Sequence, residues 1–386
     1  MTRQEHPIAQ VSQAALPEPF VKWFAERGWS PRAHQLELLG RAQAGKSVLL
    51  IAPTGAGKTL AGFLPTLTDL AVRSKRKPGE AHRGIHTLYI SPLKALAVDI
   101  ERNLGRPIAE MGLPISVETR TGDTPQHKRQ RQKLVPPDVL LTTPEQLALL
   151  IAANDAQRFF KDLRYVIFDE LHSLVTSKRG HLLALGLARL RKLRPELQTI
   201  GLSATVAEPE QLQKWLVPQN RDAALADLIT VSGGAKPHIT ILDSEQRVPW
   251  AGHSARYAVE DVYRAIKEHR TTLLFVNTRS QAELLFQELW RVNEDALPIA
   301  LHHGSLDVGQ RRRVERAMAG NELRAIVATS TLDLGIDWGD VDLVVHVGAP
   351  KGASRLAQRI GRSNHRMDEP SRAILVPANR FEVLEC

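Results

Sequence analysis

Hydrophobic residues in the first half of the chain occur in short, nearly continuous runs. Runs of roughly four to eight apolar residues between turn residues predict strands that are buried on both faces. Longer segments with helical spacing of apolar residues, such as KTLAGFLPTLTDLAV (58–72), lie between most of them. The predicted strands are SVLLIA (47–52), TLYIS (87–91), SVETR (116–120), VLLTT (139–143), YVIFD (165–169) and TIGLSAT (199–205).

The alternation of strands and helices starts again after the small-residue segment VSGGAKPH (231–238). Strands that alternate with helices predict crossover units and parallel sheets. We therefore predict an α/β protein with two domains, residues 1–234 and 235–386. The predicted strands of the second domain are TTLLFVN (271–277), IALHHG (299–304), RAIVATS (324–330), LVVHVGA (343–349) and AILVP (373–377).

Composition indicates a globular protein of the reducing cytoplasm. The chain has 43% hydrophobic and 24% charged residues, which is ordinary for such proteins. No run approaches the roughly 18 apolar residues of a membrane span, and MTRQEHPIAQ lacks an apolar signal core, so we expect neither membrane insertion nor secretion. The single cysteine, Cys386, excludes an internal disulfide framework and a thiolate metal site.

A net charge of +9 makes a polyanionic partner plausible, because clustered Lys and Arg release counterions from phosphate backbones. Basic clusters lie at 73–83, 127–133 and 311–316. Solvated helix faces and loops produce the same pattern, so charge alone leaves nucleic acid as one option.

The stretch APTGAGKT (52–59) follows a predicted strand and runs into a predicted helix, as a phosphate-binding loop requires. Gly55 and Gly57 let backbone N–H groups converge on phosphates at the positive end of that helix. Lys58 would reach the β- and γ-phosphates of ATP, and the Thr59 hydroxyl would bind Mg²⁺. Thr54 and Ala56 complete the predicted loop, in which Ala52 replaces the usual first glycine.

The strand YVIFD ends in paired carboxylates and is followed by a histidine. We predict that Asp169 holds Mg²⁺ through water and that Glu170 orients and deprotonates the attacking water. His172 has no further ligands nearby in sequence, so it is either a coupling residue or a structural histidine. Ser203 and Thr205 of SAT (203–205) end the next strand and could link the acid site to the second domain.

Arg359 and Arg362 of QRIGRSNHR (358–366) are three residues apart, which places them on one helix face. A guanidinium that reaches the γ-phosphate from another domain is an arginine finger, worth roughly 10³–10⁵ in rate. If the fingers and the phosphate loop lie on opposite domains, ATP hydrolysis requires the cleft between them to close. The chain would then be a motor or a switch.

Taken together, these motifs resemble the superfamily 2 helicases, with DELH as a DEXH-type box. The resemblance covers nearly the whole chain, from about residue 17. Within the superfamily it is most similar to the large helicase-related (Lhr) proteins, especially the ligase-associated bacterial branch, on TLDLGID (331–337), GAPKG (348–352) and GRSNH (361–365). The matching motifs, in family order, are APTGAGKT, SPLKAL (91–96), TGDT (121–124), TTPEQL (142–147), DELH, SAT, HHGSL (302–306), VATSTLDLGID (327–337) and QRIGR.

The resemblance implies two RecA-like domains with a nucleotide cleft between them. It implies an ATP- and Mg²⁺-dependent translocase that moves 3′ to 5′ on single-stranded DNA, or on duplexes with a single-stranded tail. It also implies a monomer with a role in DNA repair and a ligase as a possible partner. RNA or a DNA/RNA hybrid stays open as the substrate.

The resemblance also assigns residues to roles. Gln35 would read the adenine edge, with Trp29 or Phe24 as the residue that stacks the base. Gly335 and Asp337 would contact the nucleotide, and Gln358 would belong to the coupling set. The predicted nucleic-acid track consists of Pro92, Lys94, Thr121, Gly122, Thr143, Asn277, Arg279, His303, Gly304, Thr329 and Ser330. Strand-end loops rich in hydroxyls, glycine amides and cations suit phosphates on physical grounds as well.

The chain departs from the family at Asn364 and His365, where many relatives carry glycine and then a basic residue. Relatives of this branch also continue into a winged-helix domain, whereas this sequence ends at FEVLEC. We therefore expect ATPase and translocation activity more firmly than efficient unwinding. Two alternatives stay open: an RNA-dependent ATPase clamp of the DEAD-box kind, and an ATP-dependent binding scaffold without turnover.

Overall fold

The computed structural model describes residues 16–53, 55–73, 83–92, 94–204, 206, 208–219, 225–231, 233, 235–252, 254–332, 341–364 and 369–386. The chain folds as two compact units. Unit 1 comprises Met1–Ala52 and Gly57–Ser232, and unit 2 comprises Pro53–Ala56 and Gly233–Cys386. Within the described ranges, none of the helices has the length and hydrophobicity needed to cross a bilayer.

Unit 1 is built on a seven-stranded parallel sheet. Its strands are β1 (Val48–Ile51), β2 (Thr87–Ile90), β3 (Val117–Arg120), β4 (Val139–Thr142), β5 (Tyr165–Phe168), β6 (Gln198–Ser203) and β7 (Asp227–Thr230). Its helices are α1 (Glu18–Glu26), α2 (Ala33–Gln43), α3 (Lys58–Ala71), α4 (Lys94–Glu110), α5 (Gln126–Leu134), α6 (Pro144–Ile151), α7 (Ala156–Phe159), α8 (Leu171–Val175), α9 (Lys178–Leu193) and α10 (Pro209–Leu216).

Unit 2 is built on a six-stranded parallel sheet. Its strands are β8 (His238–Ile241), β9 (Thr272–Phe275), β10 (Ile299–His302), β11 (Ala325–Ala328), β12 (Leu343–Val347) and β13 (Arg372–Val376). Its helices are α11 (Val259–Glu268), α12 (Arg279–Arg291), α13 (Val308–Ala319) and α14 (Ala353–Ile360), with single 3₁₀ turns at Arg256–Ala258, Ser330–Leu332 and Glu382–Leu384.

The predicted fold class is confirmed: each unit is a parallel α/β sheet. All the strands predicted from apolar runs are present, and their ends shift by at most two residues. The pattern missed β7 and β8, which are edge strands of the two sheets. Every residue of β8 is exposed, so this strand has no buried apolar run that could have revealed it.

The strand order decides which loops of unit 1 meet. The order is β3-β4-β2-β5-β6-β1-β7, so β5, β6 and β1 are neighbours. The loops after parallel strands leave from the same edge of a sheet. This edge therefore brings together the phosphate loop after β1, the acid pair after β5 and SAT at the end of β6. The loops after β2, β3 and β4 lie beside them.

The start of α9 lies unusually close to the end of α8. A Cβ added at Gly180 would lie 2.1 Å from the Leu174 carbonyl oxygen, whereas one added at Gly105 in α4 would meet no atom within 4 Å.

We expect Gly180→Ala to lower the free energy of unfolding by about 1–3 kcal/mol, because the backbone must move. Gly105→Ala should be neutral or stabilising by up to about 1 kcal/mol, because alanine favours the helix. Urea unfolding of both variants tests this, and equal effects would contradict it.

Candidate functional site

The loop between β1 and α3 has the backbone of a phosphate cradle. Gly55 has φ +75° and Gly57 has φ +72°, a region in which a side chain is strained. Gly57 is also the residue that caps the N-terminus of α3, where unpaired N–H groups favour an anion. The predicted residue Thr54 lies outside the described residues, as do Thr205, Gly335, Asp337 and His365.

Lys58 and Thr59 begin α3 directly after this cradle. The Lys58 Nζ atom donates a hydrogen bond to the Ala52 carbonyl oxygen at 2.8 Å, so the side chain folds back across the loop. Both residues are partly exposed. The ammonium is therefore held where a phosphate bound by the loop would lie.

Gln35 connects the loop to α2. Its Nε2 donates to the Gly57 carbonyl oxygen at 3.4 Å, and its Oε1 accepts from the Arg32 backbone N–H at 2.9 Å. Of the two aromatic candidates for base stacking, Phe24 is 4% exposed and Trp29 is 53% exposed. Only Trp29 has ring surface available, and the role of either residue stays a prediction.

Asp169 and Glu170 are both buried, with 7% and 9% exposure. Asp169 Oδ2 accepts from the Tyr89 hydroxyl at 2.5 Å, and its Oδ1 accepts from the Glu170 N–H at 2.9 Å. Burial, followed by the neighbouring Glu170 carboxylate, raises the pKa of Asp169 above its usual range, although Lys58 acts in the opposite direction. Carboxylate and hydroxyl oxygens are the ligands that Mg²⁺ prefers, so Asp169 and Thr59 fit this ion.

His172 links the acid pair to SAT. Its Nδ1 lies 2.8 Å from the Ser203 hydroxyl, and its Nε2 lies 3.5 Å from Glu170 Oε2. Burial, together with the charge of Lys58, lowers the pKa of His172, so the ring is neutral at neutral pH. A proton on Nε2 satisfies both contacts, since Glu170 can only accept and Ser203 can donate to Nδ1.

Two of the predicted track loops in unit 1 touch each other. Lys94 Nζ lies 2.8 Å from Asp123 Oδ1, and both side chains are exposed. The Cβ position of Gly122 lies 3.0 Å from Lys94 Nζ, so a side chain there would displace the lysine. SPLKAL and TGDT therefore form one surface, with Lys94 and Gly122 exposed on it.

The other predicted track residues of unit 1 are buried: Thr121 is 4% exposed, Thr143 is 3% exposed, and Pro92 is also interior. Arg129, which the sequence analysis did not single out, donates to the Thr121 and Gly122 carbonyl oxygens at 3.2 and 2.6 Å. It belongs to the basic cluster at 127–133, where the charge gave no sign of this loop contact.

Arg179 was also missed. Its Nη1 donates to the Pro92 carbonyl oxygen at 2.5 Å, and its Nε donates to Glu145 Oε1 at 2.5 Å. Burial alone would raise the pKa of Glu145, but hydrogen bonds from Arg179, its own backbone N–H and Thr143 lower it overall. No sequence signal connects Arg179 to these loops, because its partners are distant along the chain.

The predicted track residues of unit 2 follow β9, β10 and β11, which are neighbours in the sheet. Asn277 Nδ2 donates to the Ala349 carbonyl oxygen at 2.8 Å, and Arg279 Nη1 donates to the Ser305 hydroxyl at 2.6 Å. The Thr329 N–H donates to the His302 carbonyl oxygen at 3.3 Å. Arg279, Gly304 and Ser330 are the exposed members of this set.

His303 lies in the interior of unit 2, and its predicted place in the nucleic-acid track stays a prediction. It is 3% exposed, and its Nε2 lies 3.3 Å from Glu283 Oε1. Burial lowers the pKa of His303. The side chain therefore supports the loop in this conformation, while the adjacent Gly304 provides accessible backbone.

Arg359 is buried, and its predicted role as an arginine finger stays a prediction. It is 1% exposed, its guanidinium lies 4.6 Å from the centroid of the Phe275 ring, and its Nη1 donates to His346 Nε2 at 2.7 Å. His346 Nδ1 in turn donates to the Gly348 carbonyl oxygen at 3.0 Å. Burial and Arg359 lower the pKa of His346 to about 4, so the ring is neutral and can accept this bond. Arg359 thus supports unit 2 from inside.

Gln358 lies in the last turn of α14, whereas Arg362 lies two residues beyond the end of the helix at Ile360, so Arg359 and Arg362 do not share the predicted helix face. Arg362 is 6% exposed and Gln358 is half-buried. Arg362 therefore keeps a small accessible surface that Arg359 lacks. The role of either arginine as a finger stays a prediction.

Comparisons with known proteins agree with this geometry. Residues 32–213 match the DEAD/DEAH box helicase family, and residues 257–367 match the helicase conserved C-terminal domain. The chain is 37% identical to the ATP-dependent helicase Lhr-Core protein 2 of Thermococcus barophilus, over 96% of this chain and 44% of that protein. It is 34% identical to an Lhr helicase/probable uracil glycosylase of Mycolicibacterium smegmatis, over 95% of this chain and 27% of that protein.

A solved structure of Mycobacterium smegmatis helicase Lhr bound to ssDNA and AMP-PNP is 36% identical, with a TM-score of 0.84. The match covers 96% of this chain and 49% of that one.

Parallel sheets with a phosphate loop and a buried acid pair define a nucleotide-dependent α/β protein. The chain belongs to the superfamily 2 DEXH-box helicases with a two-RecA-domain core, among relatives of the Lhr type. It spans less than half the length of the curated relatives described above.

The internal position of Arg359 predicts a stability effect. We expect Arg359→Ala to destabilise unit 2 by about 3 kcal/mol, because it removes a buried hydrogen bond and the packing over Phe275. Arg355→Ala, on the exposed side of the same helix, should cost under about 1 kcal/mol. Thermal unfolding measures both, and a fully stable Arg359→Ala variant would contradict this stabilising role.

Proposed function

We propose that this chain is an ATP-dependent helicase or translocase that moves 3′ to 5′ along single-stranded DNA, or along duplexes with a single-stranded tail. The observation that carries the proposal is the meeting of Lys58, Asp169 and Glu170 at one sheet edge, with His172 connecting Glu170 to Ser203. The Lhr structure with ssDNA and AMP-PNP supports it. A role in DNA repair, a ligase partner, a monomeric state and a cytoplasmic location remain predictions.

The residues at this sheet edge and in the glycine loop have separate roles in hydrolysis. The glycine loop and Lys58 bind the phosphates, and Glu170 takes the proton of the attacking water. Mg²⁺ held by Thr59 and Asp169 would neutralise charge on the phosphates. Neutral His172 contacts both Glu170 and Ser203 and so couples the positions of these two residues. Arg362 is the proposed arginine finger.

The exposed part of the predicted track supplies the proposed nucleic-acid contacts. Lys94 and Arg279 are exposed cations, and Gly122, Gly304 and Ser330 are exposed next to backbone N–H groups. Such groups bind phosphates without reading base sequence. The net charge of +9 favours a polyanion.

ATP turnover should depend on the lysine and on the acid pair in different ways. Lys58→Ala should abolish nucleotide binding and hydrolysis, because the phosphates lose their cation. Glu170→Gln should still bind nucleotide but lose roughly 10²–10⁴ in turnover, because the general base is gone. Lys22→Ala, a change to a lysine that is 74% exposed, is the control. Steady-state phosphate release measures all three, and a Glu170→Gln variant with full activity would favour a scaffold.

Hydrolysis by the wild type should be stimulated strongly by single-stranded DNA. The stimulation should decrease when salt rises from about 50 to 200 mM, because phosphate contacts release counterions. The same assay with single-stranded RNA decides the substrate. Equal or greater stimulation by RNA would favour the RNA-dependent clamp, and no stimulation by either polymer would contradict the proposed function.

A further inference from the structure

Arg179 joins two loops of unit 1 that lie far from it in sequence. Its Nη1 donates to the Pro92 carbonyl oxygen at 2.5 Å, which holds the loop after β2. Its Nε and Nη2 donate to the two Glu145 carboxylate oxygens at 2.5 and 3.1 Å. Glu145 lies in the first turn of α6, just after Thr143. A planar guanidinium can make these contacts together, because its N–H groups point in fixed directions.

The same arginine lies close in sequence to the acid pair. Helix α8 begins directly after Glu170, and α9 begins at Lys178. The Ser177 hydroxyl donates to the Leu174 carbonyl oxygen at 2.7 Å and accepts from the Gly180 N–H at 3.1 Å. The Cβ position of Gly180 is only 2.1 Å from that same carbonyl oxygen. The junction between α8 and α9 is therefore tight, and movement of α8 would carry Arg179 with it.

The exposure of Arg179 and Glu145 indicates that this ion pair positions neighbouring elements and contributes little to stability. The side chains of Arg179 and Glu145 are 38% and 50% exposed. Exposed ion pairs contribute little to stability, since water screens the charges. Bidentate geometry, in contrast, fixes the direction of both partners. The contact thus sets the position of α6 relative to the Pro92 loop without holding the fold together.

We propose that Arg179 is the positioning residue that couples the acid pair after β5 to the nucleic-acid loops of unit 1. A shift of Glu170 and α8 in response to the nucleotide moves Arg179, which moves the Pro92 loop and the N-terminus of α6 together. By linkage, a polynucleotide bound at those loops changes the site of ATP hydrolysis in return. This inference rests on the proposed function, because it requires both ligands.

The experiment compares wild type with Arg179→Ala, Arg179→Lys and Lys178→Ala. Lys178 is the matched control, since it is exposed on the same helix and forms no ion pair with any residue in the described ranges. Two ratios are measured for each protein. The first is the ATP turnover rate with a single-stranded DNA oligonucleotide over the rate without it. The second is the Kd for a labelled form of that oligonucleotide without AMP-PNP over the Kd with it.

We expect both ratios to fall from their wild-type values to near one in Arg179→Ala. Arg179→Lys should be nearly as impaired, because an ammonium keeps the charge but cannot hold Pro92 and Glu145 together. Lys178→Ala should retain the wild-type ratios. Adding Glu145→Ala to Arg179→Ala should cause no further loss, because both changes break the same connection.

Other outcomes separate this inference from the proposed function. If Arg179→Ala binds DNA more weakly but keeps the wild-type Kd ratio, Arg179 is a simple contact and the inference is wrong. Wild-type ratios in Arg179→Lys would attribute the effect to charge and would also overturn it. A wild type whose turnover responds to no polynucleotide would refute the proposed function, and this inference with it.

Discussion

Two carboxylates buried side by side at the end of β5 are the constraint on which the rest of unit 1 depends. Burial disfavours each charge, and each charge disfavours the other. The Tyr89 hydroxyl, the Glu170 N–H and the Lys58 ammonium offset part of this cost at Asp169. A divalent cation would offset much of the remaining repulsion between the two carboxylates. The buried acid pair therefore favours the binding of such a cation.

The parallel order of the strands places further functional residues beside this acid pair. Because β1, β5 and β6 are neighbours, the phosphate loop, the acids and Ser203 meet without long connections. His172 and α8 extend the acid site towards SAT and α9, so the predicted nucleotide site and the strand-end loops lie on connected elements. In unit 2, neutral His346 accepts from Arg359 within the core and holds the Gly348 turn. There Arg359, which the sequence predicts as an arginine finger, also packs inside the unit.

The sequence was informative wherever function or burial requires a continuous local pattern. The strand interiors are apolar throughout, and the phosphate loop needs glycine at two positive-φ positions, so both can be recognised from residue order. Arg129 and Arg179 could not be recognised, because an arginine on a helix surface is usually solvated. The burial of Arg359 and the end of α14 at Ile360 could not be recognised either, because residue spacing shows neither exposure nor the last residue of a helix.

By itself, the sequence determined the class of fold and nearly all of its strands, and it predicted a nucleotide site at the ends of β1 and β5. These depend on short segments whose hydrophobicity and backbone freedom are local properties. Tertiary structure alone decided which loops touch, which of Arg359 and Arg362 retains accessible surface, and that β7 and β8 complete the sheets. These depend on burial and on partners distant along the chain, which only packing brings together.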